Sequence, residues 1–136
     1  MSSISRLETI YADLEKEHER VMQLLARLRD NIGTTKLVPL LDELRTLLTA
    51  HFAREQLPGG FYDTLGELAD SRRKELQALV GEHATIVSHL NETLDHAKSS
   101  SVVDETDLLN RVSKLLEQLD GHEEKEHLFA AEILSS

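Results

Sequence analysis

Along most of this chain the apolar residues return in alternating steps of three and four, and only three short clusters of turn residues interrupt them. Such steps draw one apolar stripe down a face of an α-helix, whereas no β-branched run alternates as a half-buried strand requires. The interruptions are "DNIGTTK" at 30–36, "LPGG" at 57–60 and "AKSSSVVDE" at 97–105, each rich in residues that end helices. They leave four long helices, roughly 4–30, 36–56, 71–97 and 103–133. Ser5 and Glu8 have capping-box spacing at the first start, and Pro39 sits in an early turn where its missing N–H costs little. The segment "FYDTLGELAD", 61–70, reads either as a short separate helix, with Ser71 capping the next, or as the first turns of the third. Short connections between long helices make neighbours antiparallel. The expectation is therefore a single all-α domain over residues 1–136, an up-down-up-down antiparallel four-helix bundle.

The stripe is not apolar throughout. On the first segment the inward register is Leu7, Tyr11, Leu14, His18, Val21, Leu25 and Leu28, and on the second it is Leu37, Leu41, Leu44, Leu48, His51 and Glu55. The third gives Leu76, Leu79, His83, Ile86 and Leu90; the fourth gives Leu108, Val112, Leu115, Leu119, His122, Glu126, Phe129 and Ile133. Four of the 7 histidines thus fall on seams, one per helix, while His89, His96 and His127 fall off them. At about 1.5 Å of rise per residue, His18, His51, His83 and His122 lie about 18, 22, 21 and 28 Å from one end of the bundle, a spread of one to two turns. Four imidazoles and two carboxylates then meet near its middle.

Singly these features are weak: an inward histidine is more often a core residue than a ligand, and an i,i+4 His/Glu pair is more often a solvated one. Together they form six polar groups on four seams at one height, with His-x-x-x-Glu occurring twice. Two buried carboxylates without a compensating cation would cost several kcal/mol each or take up protons. No Lys or Arg stands on the seams, apart from Arg72 near the start of the third, so a metal best supplies the missing charge. The chain has no cysteine, which excludes thiolate sites and Fe–S clusters. Imidazole with carboxylate suits iron, manganese or zinc rather than calcium or magnesium. Two Glu able to bridge and two His for each ion read as a dinuclear site, and the Glu-x-x-His pairs of ferritin-type centres are missing.

The segments "KEHERV", "AHFAREQ", "GEHATIV" and "DGHEEKEH" together resemble the hemerythrin-like, or HHE cation-binding, domains, and the match spans His18 to Glu126. The resemblance implies a non-haem centre of two iron ions, with His18 and His51 serving one, His83 and His122 the other. Glu55 and Glu126 would bridge, with an oxo or hydroxo group between the metals. Oxygen-carrying members have a further histidine one turn after that of the third helix, where this chain has Val87, and place the last acid five residues after its histidine, where this chain has His127. The chain is thus closer to the four-His forms found in iron-centre repair proteins, iron-sensing domains and stand-alone bacterial proteins. His89 lies about 120° around the helix from the seam, and His127 would reach the site only through a π-bulge. Both read as surface or outer histidines. Tyr11, one heptad before His18, reads as core or as a hydrogen-bonding neighbour of the site. Glu19, Glu82 and Glu123 adjoin proposed ligands but point about 100° away on their helices, and are not assigned as ligands.

The expected function is a di-iron protein that reacts with or senses O2, peroxide or NO, with peroxide decomposition as a candidate enzymatic activity. The alternative is an iron storage, sensing or donation module without turnover, and a reversible O2 carrier is disfavoured by Val87. Net charge is −10, from 15 basic and 25 acidic residues, which argues against nucleic acid and anionic membranes as partners. No apolar run has the length of a membrane span, and "MSSISRLETIY" lacks a basic region followed by an apolar one, so the expected location is cytoplasmic. The sequence names no protein partner.

Overall fold

The computed structural model describes residues 3–99 and 105–135. They form helices α1 (Ser3–Asp30), α2 (Leu37–Glu55), α3 (Phe61–Leu68), α4 (Arg73–Ser99) and α5 (Glu105–Ser135), with a 3-10 turn at Asp70–Arg72. No strand occurs among the described residues. The segment 61–70 is thus a separate short helix and not the start of the next long one. Ser71 lies within the 3-10 turn, two residues before α4 begins, and so is not its N-cap residue. The capping-box reading of Ser5 also fails, because α1 has already begun at Ser3 and the Ser5 carbonyl accepts the Thr9 hydroxyl at 3.2 Å. The expected start of the last helix at 103 lies outside the described residues.

Each break has a local cause. After α1 the chain turns through Gly33, whose φ of 81° is costly for any residue with a Cβ. A side chain there would also run into the carboxylate of Glu105, at the start of α5. The Asn31 side chain donates to the Arg27 carbonyl at 2.7 Å, satisfying one of the carbonyls that a helix end leaves open. After α2, Gly59 is the second residue at positive φ, and its N–H donates to Asp63 in the first turn of α3 at 2.7 Å.

The long helices pack as a square in the order α1, α2, α4, α5, with α3 laid mainly against α1. Neighbours run antiparallel. Between α5 and the 3-10 turn with α4, the pairs are Arg72 with Glu132, Glu82 with Lys125, His89 with Gln118, and His96 with Asp107, rising on one side as they fall on the other. From α2 to α4, Asp42 meets Lys98 while Gln56 meets His83. Among the described residues no helix is long and apolar enough to cross a membrane.

Every seam residue named from the sequence is buried except Tyr11 and His18, which are half-buried. The core nonetheless divides. One apolar cluster takes Val21 to Leu28, Leu37 to Phe52, Ile86 to Leu94 and Leu108 to Leu119. The other takes Leu7 and Leu14, the α3 residues Phe61, Tyr62 and Leu65, Leu76 and Leu79, and Phe129 to Ile133. Between them, on all four long helices, stand the histidines and glutamates. Leu44, fully buried in the larger cluster, should cost about 2–5 kcal/mol when replaced by Ala. Denaturant unfolding of Leu44→Ala checks this, and a loss below about 1 kcal/mol would mean that the cluster is looser than its burial indicates.

Candidate metal centre

An i,i+4 pair on a helix shares one face, and α2 and α5 each turn such a pair inward: His51 and Glu55 on α2, His122 and Glu126 on α5, all 2% exposed or less. His83 comes from α4 between them. The His83 Nε2 lies 3.1 Å from His122 Nε2 and 3.4 Å from Glu55 Oε1, and His122 Nε2 lies 3.0 Å from Glu126 Oε1. Glu55, His83, His122 and Glu126 form one group whose candidate ligand atoms are all within 4.8 Å of one another, and His51, Glu55 and Glu123 form a second. Glu55 belongs to both. His18 joins neither group, but it lines a cleft of about 410 Å³ with Glu55, Glu123 and Glu126.

The outer hydrogen bonds fix which ring nitrogen faces inward. His83 Nδ1 donates to Gln56 Oε1 at 3.1 Å and His122 Nδ1 to Glu82 Oε1 at 2.8 Å, with Glu82 in turn held by Lys125 at 2.6 Å. His51 Nδ1 faces Glu17 Oε1 at 3.6 Å, and Glu17 is tied to Arg54. With their Nδ1 protons donated outward, His83 and His122 turn Nε2 to the centre, the orientation that metal-binding histidines adopt. Two Nε2 atoms 3.1 Å apart call for a proton or a cation between them. Tyr62, reaching in from α3, donates its hydroxyl to Glu126 Oε2 at 3.0 Å and stands 3.2 Å from His83 Nε2. Phe52 stacks on the His83 ring at 3.9 Å and closes that side.

Polar atoms at the centre are left without protein partners. His18 Nε2, His51 Nδ1 and Glu55 Oε1 are all buried without a hydrogen-bond partner. Burial, and then the neighbouring Glu126 carboxylate, push the Glu55 carboxyl far above its ordinary range, so that it keeps a proton. Burial resists ionisation of Glu126 as well, but hydrogen bonds from Glu55, His122 and Tyr62 hold its carboxylate below the usual range. Burial, reinforced by His122, lowers His83 to about 4 and keeps it neutral. Burial also works against protonation of His122, but its hydrogen bonds to Glu126 and Glu82 outweigh this and raise it. With the shifts in these directions, Glu55 keeps the proton and Glu126 the charge. Orphaned imidazole nitrogens and carboxylate oxygens of this kind are a donor set that fits a transition metal in place of that proton.

Two of the lateral glutamates not assigned as ligands nonetheless border the centre. Glu123 and Glu82 point away from their own helix neighbours, but each reaches a histidine on another helix: Glu123 Oε1 is 3.2 Å from His51 Nε2, and Glu82 meets His122. Gln56 and Tyr62 carried no periodic signal. Their segments' position, at the break between α2 and α4, was the only hint. His89 binds Gln118 at 2.7 Å and His96 pairs with Asp107 at 2.9 Å, both away from the centre. Exposed His127 contacts the Tyr11 hydroxyl at the cleft, and Val87 packs against the larger apolar cluster.

The proton on Glu55 gives the metal-free chain a signed pH dependence. A carboxyl raised on folding supports the fold fully below its unfolded value and withdraws that support as pH rises toward its folded value. The depressed Glu126 acts in the opposite sense only below the usual carboxylate range, and the lowered His83 only below the usual histidine range. From about pH 7 to about pH 9 the melting temperature of metal-free protein should therefore fall. A flat or rising melting temperature over that interval would contradict the proton assignment.

A family model, the hemerythrin HHE cation-binding domain, matches residues 9–131. No curated protein and no solved structure matches the chain. With that match over nearly the whole chain, and buried His/Glu groups able to hold a cation between the halves of a helical bundle, the chain belongs to the hemerythrin HHE cation-binding domain family.

Proposed function

We propose that the chain is a non-haem di-iron protein that reacts with or senses O2, peroxide or NO, its two ions held by His18, His51, Glu55, His83, His122 and Glu126. The observation that carries this reading is the pair of ligand groups sharing Glu55, each with imidazole Nε2 and carboxylate oxygen donors. A carboxylate with two oxygens can serve an ion on each side, and nitrogen–oxygen donor sets of this kind suit iron. Bound iron would supply one-electron steps and open positions for a small ligand.

The protein's part is positioning and access. Gln56 and Glu82 hold His83 and His122 by their Nδ1 sides, so that these two rings need no reorientation on loading, while Glu17 only faces His51 Nδ1 at 3.6 Å. Tyr62 holds Glu126 from the far side with its hydroxyl proton. Leu14 and Phe61 form an apolar part of the cleft wall, and the space between them and Glu55 admits a diatomic or a peroxide. Val87, apolar and packed against the larger apolar cluster, supplies no fifth imidazole, which separates this reading from reversible O2 carriage.

A second reading, uptake or donation of iron without turnover, is favoured by the cleft's charge. Asp120, Glu123, Glu124 and Glu15 line it, a field that draws cations inward.

Metal analysis with peroxide kinetics tests both readings. The expected result is two irons per chain and catalytic O2 release on adding peroxide; stoichiometric bleaching without turnover would favour the uptake reading. Glu55→Ala and Glu126→Ala should each lose dinuclear loading, while His96→Ala should load normally. Normal loading in either glutamate variant would overturn the bridging assignment.

A further inference from the structure

Glu123 is placed unlike the other acidic residues around the centre. Glu17 and Glu82 also approach histidines, but each is anchored by a cation, Arg54 and Lys125 respectively, and each faces an outward Nδ1. Glu123 faces the opposite nitrogen. Its Oε1 lies 3.2 Å from His51 Nε2, the atom that also faces Glu55 Oε1 at 3.7 Å. Its side chain is only 10% exposed, between an exposed Glu124 and the buried His122. No Lys or Arg pairs with it among the described residues, so the His51 ring alone faces a nearly buried carboxylate. That is a costly arrangement unless a cation joins it.

The wall beside it points the same way. The buried, unpartnered His18 Nε2 and the unpartnered Glu55 Oε1 belong to residues that line the same cleft as Glu123. The other group is closed differently, by the Phe52 ring stacked on His83 and by the Tyr62 hydroxyl.

We propose that Glu123 is a seventh protein ligand, a carboxylate on the ion nearest the cleft that closes its open face and that an incoming anion has to displace. This rests on the di-iron reading, and it makes the two ions inequivalent. The inner one is enclosed by aromatic rings. The outer one is capped by a carboxylate at the cleft wall.

The test compares diferric wild type with Glu123→Gln, Glu123→Asp and Glu124→Gln, reading iron stoichiometry and affinity, Mössbauer spectra, and the charge-transfer band that appears on titrating azide. Glu123→Gln removes the charge at nearly constant shape, Glu123→Asp keeps the charge but shortens its reach, and Glu124→Gln removes a neighbouring cleft charge. Both Glu123 variants should keep wild-type helicity by circular dichroism, hold the second iron about 10-fold more weakly and bind azide about 10-fold more tightly, with a changed signal for one iron only. Glu124→Gln should match wild type. Unchanged iron affinity and azide binding in Glu123→Gln would overturn the proposal, as would an equal effect in Glu124→Gln, which would make the cause the cleft's field. A wild-type chain that fails to take up two irons would instead overturn the di-iron reading beneath it.

Discussion

Lone pairs and carboxylates placed in the interior without a cation are the constraint around which this bundle is arranged. His83 Nε2 and His122 Nε2 face each other at 3.1 Å, and the Glu55 and Glu126 carboxylates stand beside them at 2% exposure or less. A layer like this opposes folding. Transfer of an unpaired carboxylate out of water costs several kcal/mol even after relaxation, and the proton on Glu55 offsets only part of it. The apolar clusters on either side stabilise the fold strongly enough to hold the layer in place, and a bound cation would supply the partners that the layer lacks.

The hydrogen bonds outside the layer follow from the same constraint. A histidine free to rotate would turn its Nε2 toward water or take up a proton, and either would dissolve the site. Gln56 and Glu82 prevent this by accepting the Nδ1 protons, and Lys125 and Arg54 prevent Glu82 and Glu17 from swinging inward themselves. The short helix α3 has a similar task. Its packing against α1 delivers Tyr62 to Glu126 across a span that no long helix of the bundle covers.

Much of this was legible in the sequence because helical periodicity is a strong geometric rule. Once His51 and Glu55 fall on the stripe that holds Leu44 and Leu48, burial follows, and the same holds for His122 and Glu126 beyond Leu119. The rule fails one position off the stripe. Glu82 precedes its seam histidine and Glu123 follows its own, so they flank their seams on opposite sides, and one meets an outward nitrogen of a neighbouring helix while the other meets an inward one. Long side chains at lateral positions are steered by the neighbouring helix, which a single-helix register does not describe. Gln56 and Tyr62 were illegible for a related reason: they lie at and beyond the end of α2, where periodicity stops. Ser5 shows the converse error, a local capping pattern overridden because the helix starts earlier.

The family match and the paired groups agree on a cation between the two halves of the core, and the further step to two irons makes a spatial claim. A crystal of the iron-loaded protein, with anomalous differences recorded on both sides of the iron absorption edge, tests it most directly. Two iron peaks are expected between the apolar clusters, one bordered by His83 and His122, the other by His18 and His51, with Glu55 and Glu126 contacting both. A single peak, or iron bound only at the acidic surface, would contradict the dinuclear centre.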